Sequence, residues 1–117
     1  MAVVARLRRR TEFLGVYAFG VKATGRHVVM FARPRGEAGF RLGITATRRV
    51  GGAVVRNRAR RRVRELFRRH PELVAGLAAD LVVNVRRSCA EAPWGELEED
   101  YLRCVTNLMR RLQGRER

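Results

Sequence analysis

The sequence predicts a single compact α+β domain of order αβββαβα, with helices laid on a small central sheet. Three observations predict it. The run DLVVNVR at residues 80–86 is β-rich and has the make-up of a buried strand. Two earlier segments, centred on HVVMFA and FRLGITAT, read as its extended neighbours. Two longer segments, at 53–69 and after Pro93, repeat apolar residues at helical spacing. With 117 residues and 46% hydrophobic content, the chain can build one core but not a second.

Residues 1–10 read as a basic leader with arginines at 6, 8, 9 and 10, too short to pack alone and expected to be mobile unless it lies on a partner. The domain proper is expected over 11–112, with 113–117 a basic tail. Thr11 offers an N-cap to a short helix carrying Phe13, Leu14, Val16 and Tyr17, which Gly20 can end. Extended chain follows over 21–33, then a turn at Pro34, Arg35 and Gly36, then a strand over 40–47. Gly51 and Gly52 break that strand and open the helix at 53–69. There Val55, Ala59, Val63, Leu66 and Phe67 share one stripe, while Asn57, Arg61, Arg64 and Arg68 point the other way. Pro71 stops this helix, and Pro93 suits the first turn of the last one. That helix repeats Leu97, Tyr101, Val105, Leu108 and Leu112. Its acids, Glu96, Glu98, Glu99 and Asp100, come early and Arg110 and Arg111 late, as a helix dipole favours. The strand, helix and strand over 40–86 would form a crossover unit if the two strands are parallel neighbours.

The charge is concentrated rather than spread. Residues 48–69 hold ten arginines and one acid, a net +9 of the formal +15. Such density is a footprint for a polyanion, and guanidinium groups favour forked phosphate contacts. Arg48, Arg49, Arg56, Arg58, Arg60, Arg61, Arg62, Arg64 and Arg68, with Asn57 among them, are therefore the candidate nucleic-acid-binding residues, and charge alone does not choose among DNA, single-stranded RNA and folded RNA. Lys22 is the single lysine, so genome composition shares in the arginine preference. A reader of DNA with a helix-turn-helix is disfavoured, because the basic helix follows a strand. Phe13 and Tyr17, one helical turn apart, and Phe31 on a strand could stack unpaired bases in a groove or could simply be core.

A self-sufficient enzyme would need an activated nucleophile, a carboxylate pair or metal ligands. His27 and His70 stand alone, Ser88 and Cys89 lack an activating context, and Gly51-Gly52 is not followed by Lys-Ser or Lys-Thr as a phosphate loop requires. No catalytic residue is assigned. Cys89 and Cys104 are expected to be reduced, since neither a disulfide nor a zinc pattern surrounds them. No apolar run approaches a membrane span, so a cytoplasmic protein with no membrane partner is expected.

The ordered motifs support a closer comparison. RRVGGAVVRNRARRRVREL, with TEFLGVYAFG, HVVMFA, FRLGITAT and LVVNVR in register, resembles the bacterial ribonuclease P protein subunit family over about residues 8–112. The resemblance implies a ribosomal-protein-like fold with a left-handed βαβ crossover, where general rules favour the right hand. It also implies a function: binding a catalytic RNA whose Mg²⁺-dependent hydrolysis removes the 5′ leader of precursor tRNA. The Mg²⁺ would be held mainly by the RNA; whether any protein group helps to place it is left open. On this resemblance Arg56, Asn57 and Arg58, with Arg60, Arg61, Arg62 and Arg64, contact the catalytic RNA, and Phe13, Tyr17 and Phe31 line the cleft for the leader. The partners are then ribonuclease P RNA and precursor tRNA, with no DNA. One departure is Gly52, where the family usually has Asn, so a side-chain contact is lost there while the turn is kept. A non-catalytic ribosomal or RNA-chaperone-type protein is the alternative, and a stand-alone nuclease ranks last.

Overall fold

The computed structural model describes residues 5–115. Its elements run β1 (Ala5–Arg6), α1 (Arg10–Phe19), β2 (Val21–Thr24), β3 (Val28–Pro34), β4 (Phe40–Thr45), α2 (Ala53–Arg69), β5 (Ala79–Val85), α3 (Arg87–Glu91) and α4 (Trp94–Arg115), with short 3-10 turns at Arg48–Val50 and Pro71–Leu73. The fold is the α+β domain expected, with β1 and α3 as additions. The strands form one sheet in the order β1-β4-β5-β3-β2. β5 runs parallel to β4, in the register Leu42 to Leu81, and antiparallel to β3, in the register Met30 to Val83. The unit β4-α2-β5 therefore is a crossover between parallel neighbours.

The central place of β5 explains its composition. Every residue of it but Asn84 is buried, and apart from Asp80 the buried ones are apolar, so Leu81, Val82 and Val83 run together rather than alternating with polar residues. On one face of the sheet, Met30, Leu42, Leu81 and Val83 meet Ala59, Val63, Leu66 and Phe67 of α2 and Leu97, Tyr101, Val105 and Leu108 of α4. These are the helical stripes legible in the sequence. Among the described residues the opposite face is covered by α1 and Leu7, through a small cluster of Leu7, Val16 and Val82 with Phe13, Tyr17 and Phe31 half-buried around it.

Several expectations change. The leader is not free where it is described: Ala5 and Arg6 pair in parallel with Arg41 and Leu42, and the buried Leu7 anchors it through an amide hydrogen bond to the Leu42 carbonyl at 3.0 Å. Residues 1–4 lie outside the described residues. Thr11 is inside α1, not its cap; the Glu12 carboxylate instead folds back to accept the Arg9 and Arg8 amides at 2.9 and 3.2 Å. The basic tail begins as helix, since α4 continues through residues 113–115, and residues 116–117 lie outside the described residues. Asp100 is not part of a solvated acidic row. It is buried and accepts the backbone N–H groups of Arg26 and His27, each at 2.8 Å, tying the β2-β3 turn to α4.

Candidate nucleic-acid interface

The entry to α2 is set by Gly51, whose φ of +147° admits little but glycine. Gly52 then occupies the N-cap position with ordinary extended backbone and no side chain to receive the first amides. No acid stands in the first turn of α2, and Arg56 and Arg58 follow at once. Positive charge at a helix N-terminus opposes the dipole, so this placement weakens the isolated helix. A bound polyanion would reverse the sign of that effect.

Glu65 divides the arginine array in two. It pairs with Arg68 and with Arg69, the latter at 3.2 Å, and these guanidinium groups hold its carboxyl down at about 2. The C-terminal end of the array is thus partly neutralised within the protein. By contrast, Arg48, Arg49, Arg56, Arg58, Arg60, Arg61 and Arg64 have no ion-pair partner among the described residues. Burial lowers the Arg64 pKa, and the nearby charges of Arg6 and Arg60 lower it further, so three guanidinium groups crowd together without a counter-charge. Asn57 serves locally, accepting from Arg60 at 3.2 Å.

Arg62 departs from the expected set. It is half-buried and donates to the carbonyls of Cys89 at 2.8 Å and Ala92 at 2.6 Å, with its guanidinium 5.7 Å from the Trp94 ring. It caps the end of α3 and faces the protein, because its position on α2 lies toward the α3 side. The sequence shows only one arginine in a row of many; no local signal separates it from Arg61.

The three aromatic residues come together as the cluster on the α1 face. The Phe13 ring lies on β4 at Gly43, where a Cβ would come within 2.5 Å of two ring carbons. Tyr17 donates its hydroxyl to Asn84 at 2.6 Å and lies 3.2 Å from the Thr45 hydroxyl. Its ring meets Phe31 edge to face at 4.9 Å, and Lys22 reaches over Phe31 at 5.7 Å. An open groove of about 440 Å³ runs beside α1, lined by Arg8, Arg10, Phe13, Tyr17, Thr45 and Arg60 among others. A second hollow of about 390 Å³ shares Phe13, Ile44 and Arg60 with it and adds Arg6 and Arg64. Phe31 lines neither; it backs Tyr17. The groove therefore has aromatic rings on its floor and arginines on both rims, drawn from β1, α1 and α2.

Other polar groups have internal roles. His27 Nδ1 is 2.8 Å from the Ser88 hydroxyl, and His70 Nε2 is 3.0 Å from Glu98. Burial pushes the Cys89 and Cys104 thiols up to about 11, away from the thiolate a nucleophile needs. Asp80 receives Arg41 through two 2.8 Å hydrogen bonds, and Asp100 receives the two backbone amides. Among the described residues no three His, Cys, Asp or Glu side chains converge, and these buried carboxylates are already bonded to protein donors. Among the described residues, the buried carboxylates therefore leave no free donor set for a divalent cation.

The ribonuclease P family model matches residues 1–111, nearly the whole chain. The chain belongs to the ribonuclease P protein family. Relatives described as ribonuclease P protein component include one from Desulfovibrio desulfuricans, 37% identical over 89% of this chain and 77% of that protein, and one from Chloroflexus aurantiacus, 40% identical over 90% and 75%. Among solved structures, the ribonuclease P protein of Staphylococcus aureus superposes with a TM-score of 0.78 at 25% identity, covering 89% of this chain and 94% of that one. The Thermotoga maritima ribonuclease P protein gives 0.77 at 30% identity, covering 87% and 96%. As a ribonuclease P protein, the chain is a component of a ribonuclease complex. The matched region includes β1, the basic turn before α2, and α2 itself.

Proposed function

We propose that this ribonuclease P protein binds the catalytic RNA of the complex through the N-terminal half of α2, and the single-stranded 5′ leader of precursor tRNA through the groove beside α1. The observation that carries this is the sorting of charge along α2: Glu65 neutralises the C-terminal end, while seven arginines from the entry turn to Arg64 have no ion-pair partner among the described residues, and two of them, Arg60 and Arg64, line the hollows beside the aromatic cluster. Phosphates on the arginine face supply salt-dependent affinity without reading sequence. Stacking on half-buried rings suits unpaired bases of any kind. The hydrolysis and the Mg²⁺ it requires belong to the RNA on this reading, which the engagement of the buried carboxylates Asp80 and Asp100 by protein donors supports. We place the complex in the cytoplasm and assign it no DNA partner; no described helix is long and apolar enough to cross a membrane.

Reconstitution tests the reading. Added to ribonuclease P RNA, the protein should speed cleavage of precursor tRNA at low Mg²⁺, with less effect when the leader is trimmed to a single nucleotide. Cleavage by the purified protein without RNA would overturn the division of labour. Tight binding to many structured RNAs, with no acceleration, would move the assignment to a general RNA-binding protein.

A further inference from the structure

The groove depends on where α1 rests, and α1 rests on little. Val16 is its one fully buried residue, with Phe13 and Tyr17 half-buried beside it, so polar and close contacts to the sheet supplement a small apolar cluster. Its side-chain contacts with β4 follow a match between two periodicities. Successive turns of a helix advance about 6 Å per four residues, and alternate strand residues about 6.6 Å per two. Phe13 and Tyr17 of α1 thereby fall opposite Gly43 and Thr45, while Glu12, one residue before Phe13, is met by the long Arg41 side chain from the same face of β4. The Arg41 guanidinium bonds the Glu12 carboxylate, the Phe13 ring lies against Gly43, and the Tyr17 hydroxyl lies 3.2 Å from Thr45.

We propose that Arg41, bridging Glu12 and Asp80, is the positioning residue that sets the register of α1 on β4 and hence the geometry of the aromatic groove. The inference rests on the leader-binding reading above. Arg41 makes a forked contact with Asp80, both bonds at 2.8 Å, while its remaining nitrogen takes Glu12. Asp80 is itself steadied by Arg35 at 3.5 Å. The other Glu12 oxygen holds the Arg8 and Arg9 amides, so one carboxylate joins the helix start to the sheet. Glu12 immediately precedes Phe13, and a shift of that anchor carries the ring with it. None of the three residues lines the groove at Phe13 and Tyr17. Their effect on leader binding is therefore indirect.

Glu12→Gln isolates the contact, because the amide oxygen can still accept the two backbone N–H groups while the charge toward Arg41 is gone. In the holoenzyme it should raise KM about five- to tenfold for a precursor with a long leader, the equivalent of part of one base stack. KM for a single-nucleotide leader, and kcat for both, should stay near wild type. NOEs between the Phe13 ring and the Gly43 α-protons, present in the wild-type chain, should weaken. Arg41→Lys, which keeps a charge but loses the fork, should fall between the two. An equal rise in KM for both leaders, or intact NOEs with unchanged KM, would overturn the proposal. If wild type shows no dependence on leader length, the leader reading fails, while weakened NOEs in Glu12→Gln would still uphold the register.

Discussion

Gly43→Ala puts a number on how closely α1 meets the sheet. An alanine Cβ would stand 2.5 Å from the Cε1 and Cζ atoms of Phe13 and 3.2 Å from Leu7 Cδ1. Carbon atoms in contact prefer roughly 3.5–4.0 Å, so the ring must retreat by about 1 Å or more. Overpacking of this kind costs about 1–3 kcal/mol. Against it, alanine in a strand gains roughly 0.5–1 kcal/mol over glycine through the unfolded chain. The net sign turns on Phe13, which is only half-buried and can yield toward the open hollow beside it. A net loss of about 1 kcal/mol is expected, lowering the melting temperature by roughly 4 °C for a domain of this size. The functional loss should be larger in proportion, because the displaced ring is the groove floor. Urea unfolding with an unchanged m-value, alongside KM for long-leader precursor, measures both. A variant as stable as wild type that also binds the long leader equally well would refute the close contact.

Four further outcomes follow from the same structure. Arg58→Ala should reduce low-Mg²⁺ activity far more than high-Mg²⁺ activity and lower the salt slope of RNA binding by roughly 0.7–0.9; Arg68→Ala, whose partner Glu65 already neutralises it, should change that slope much less in a filter-binding titration. Arg62→Ala should cost about 2–3 kcal/mol in denaturant unfolding by stranding the Cys89 and Ala92 carbonyls, while RNA affinity of the folded protein holds. Gly52→Asn should stabilise the chain by about 0.5–1 kcal/mol in thermal melts, since it adds a cap where φ is −69° and nothing crowds the new side chain. The Glu12 carboxyl is held below its ordinary 4.5, first by the Arg9 and Arg8 amides and then by Arg41; a lowered folded pKa gives stability above about 4.5 that fades as pH falls through the folded value, so acid unfolding followed by circular dichroism should be shallower there in Glu12→Gln.

The order of the elements was legible because each long one obeys a single period. The α2 stripe at Ala59, Val63 and Leu66 and the doubly buried β5 are both direct consequences of where the backbone points its side chains. What sequence could not show were the contacts made across the fold. Leu7 looks like one apolar residue in a run of arginines until β4 offers it an edge and Val82 a surface. Asp100 belongs to a row of four acids by spacing, and only the β2-β3 turn, some seventy residues earlier in the chain, makes it a buried acceptor. Within the candidate interface, the concentration of charge at 48–69 was plain, but its sorting was not: Arg62 turns inward because α3 is there. The Glu65 pairing did carry a local signal, the i, i+3 and i, i+4 spacing to Arg68 and Arg69.

The same sorting explains how α2 can exist at all. A helix that begins with a bare glycine cap and arginines in its first turns works against its own dipole, and like charges at i, i+4, such as Arg56 with Arg60 and Arg60 with Arg64, add repulsion. Stability must therefore come from the buried stripe and from Arg62, which turns one of those charges into a bond between helices. None of these attachments uses an arginine that lines the groove. The arginines without an ion-pair partner then repel one another in the folded chain, and arriving phosphates would relieve that repulsion. Affinity for RNA and stability of α2 should consequently rise together: added polyphosphate should protect the α2 amides from hydrogen exchange in the wild-type chain, and less so when Arg56, Arg58 and Arg61 are replaced together by glutamine.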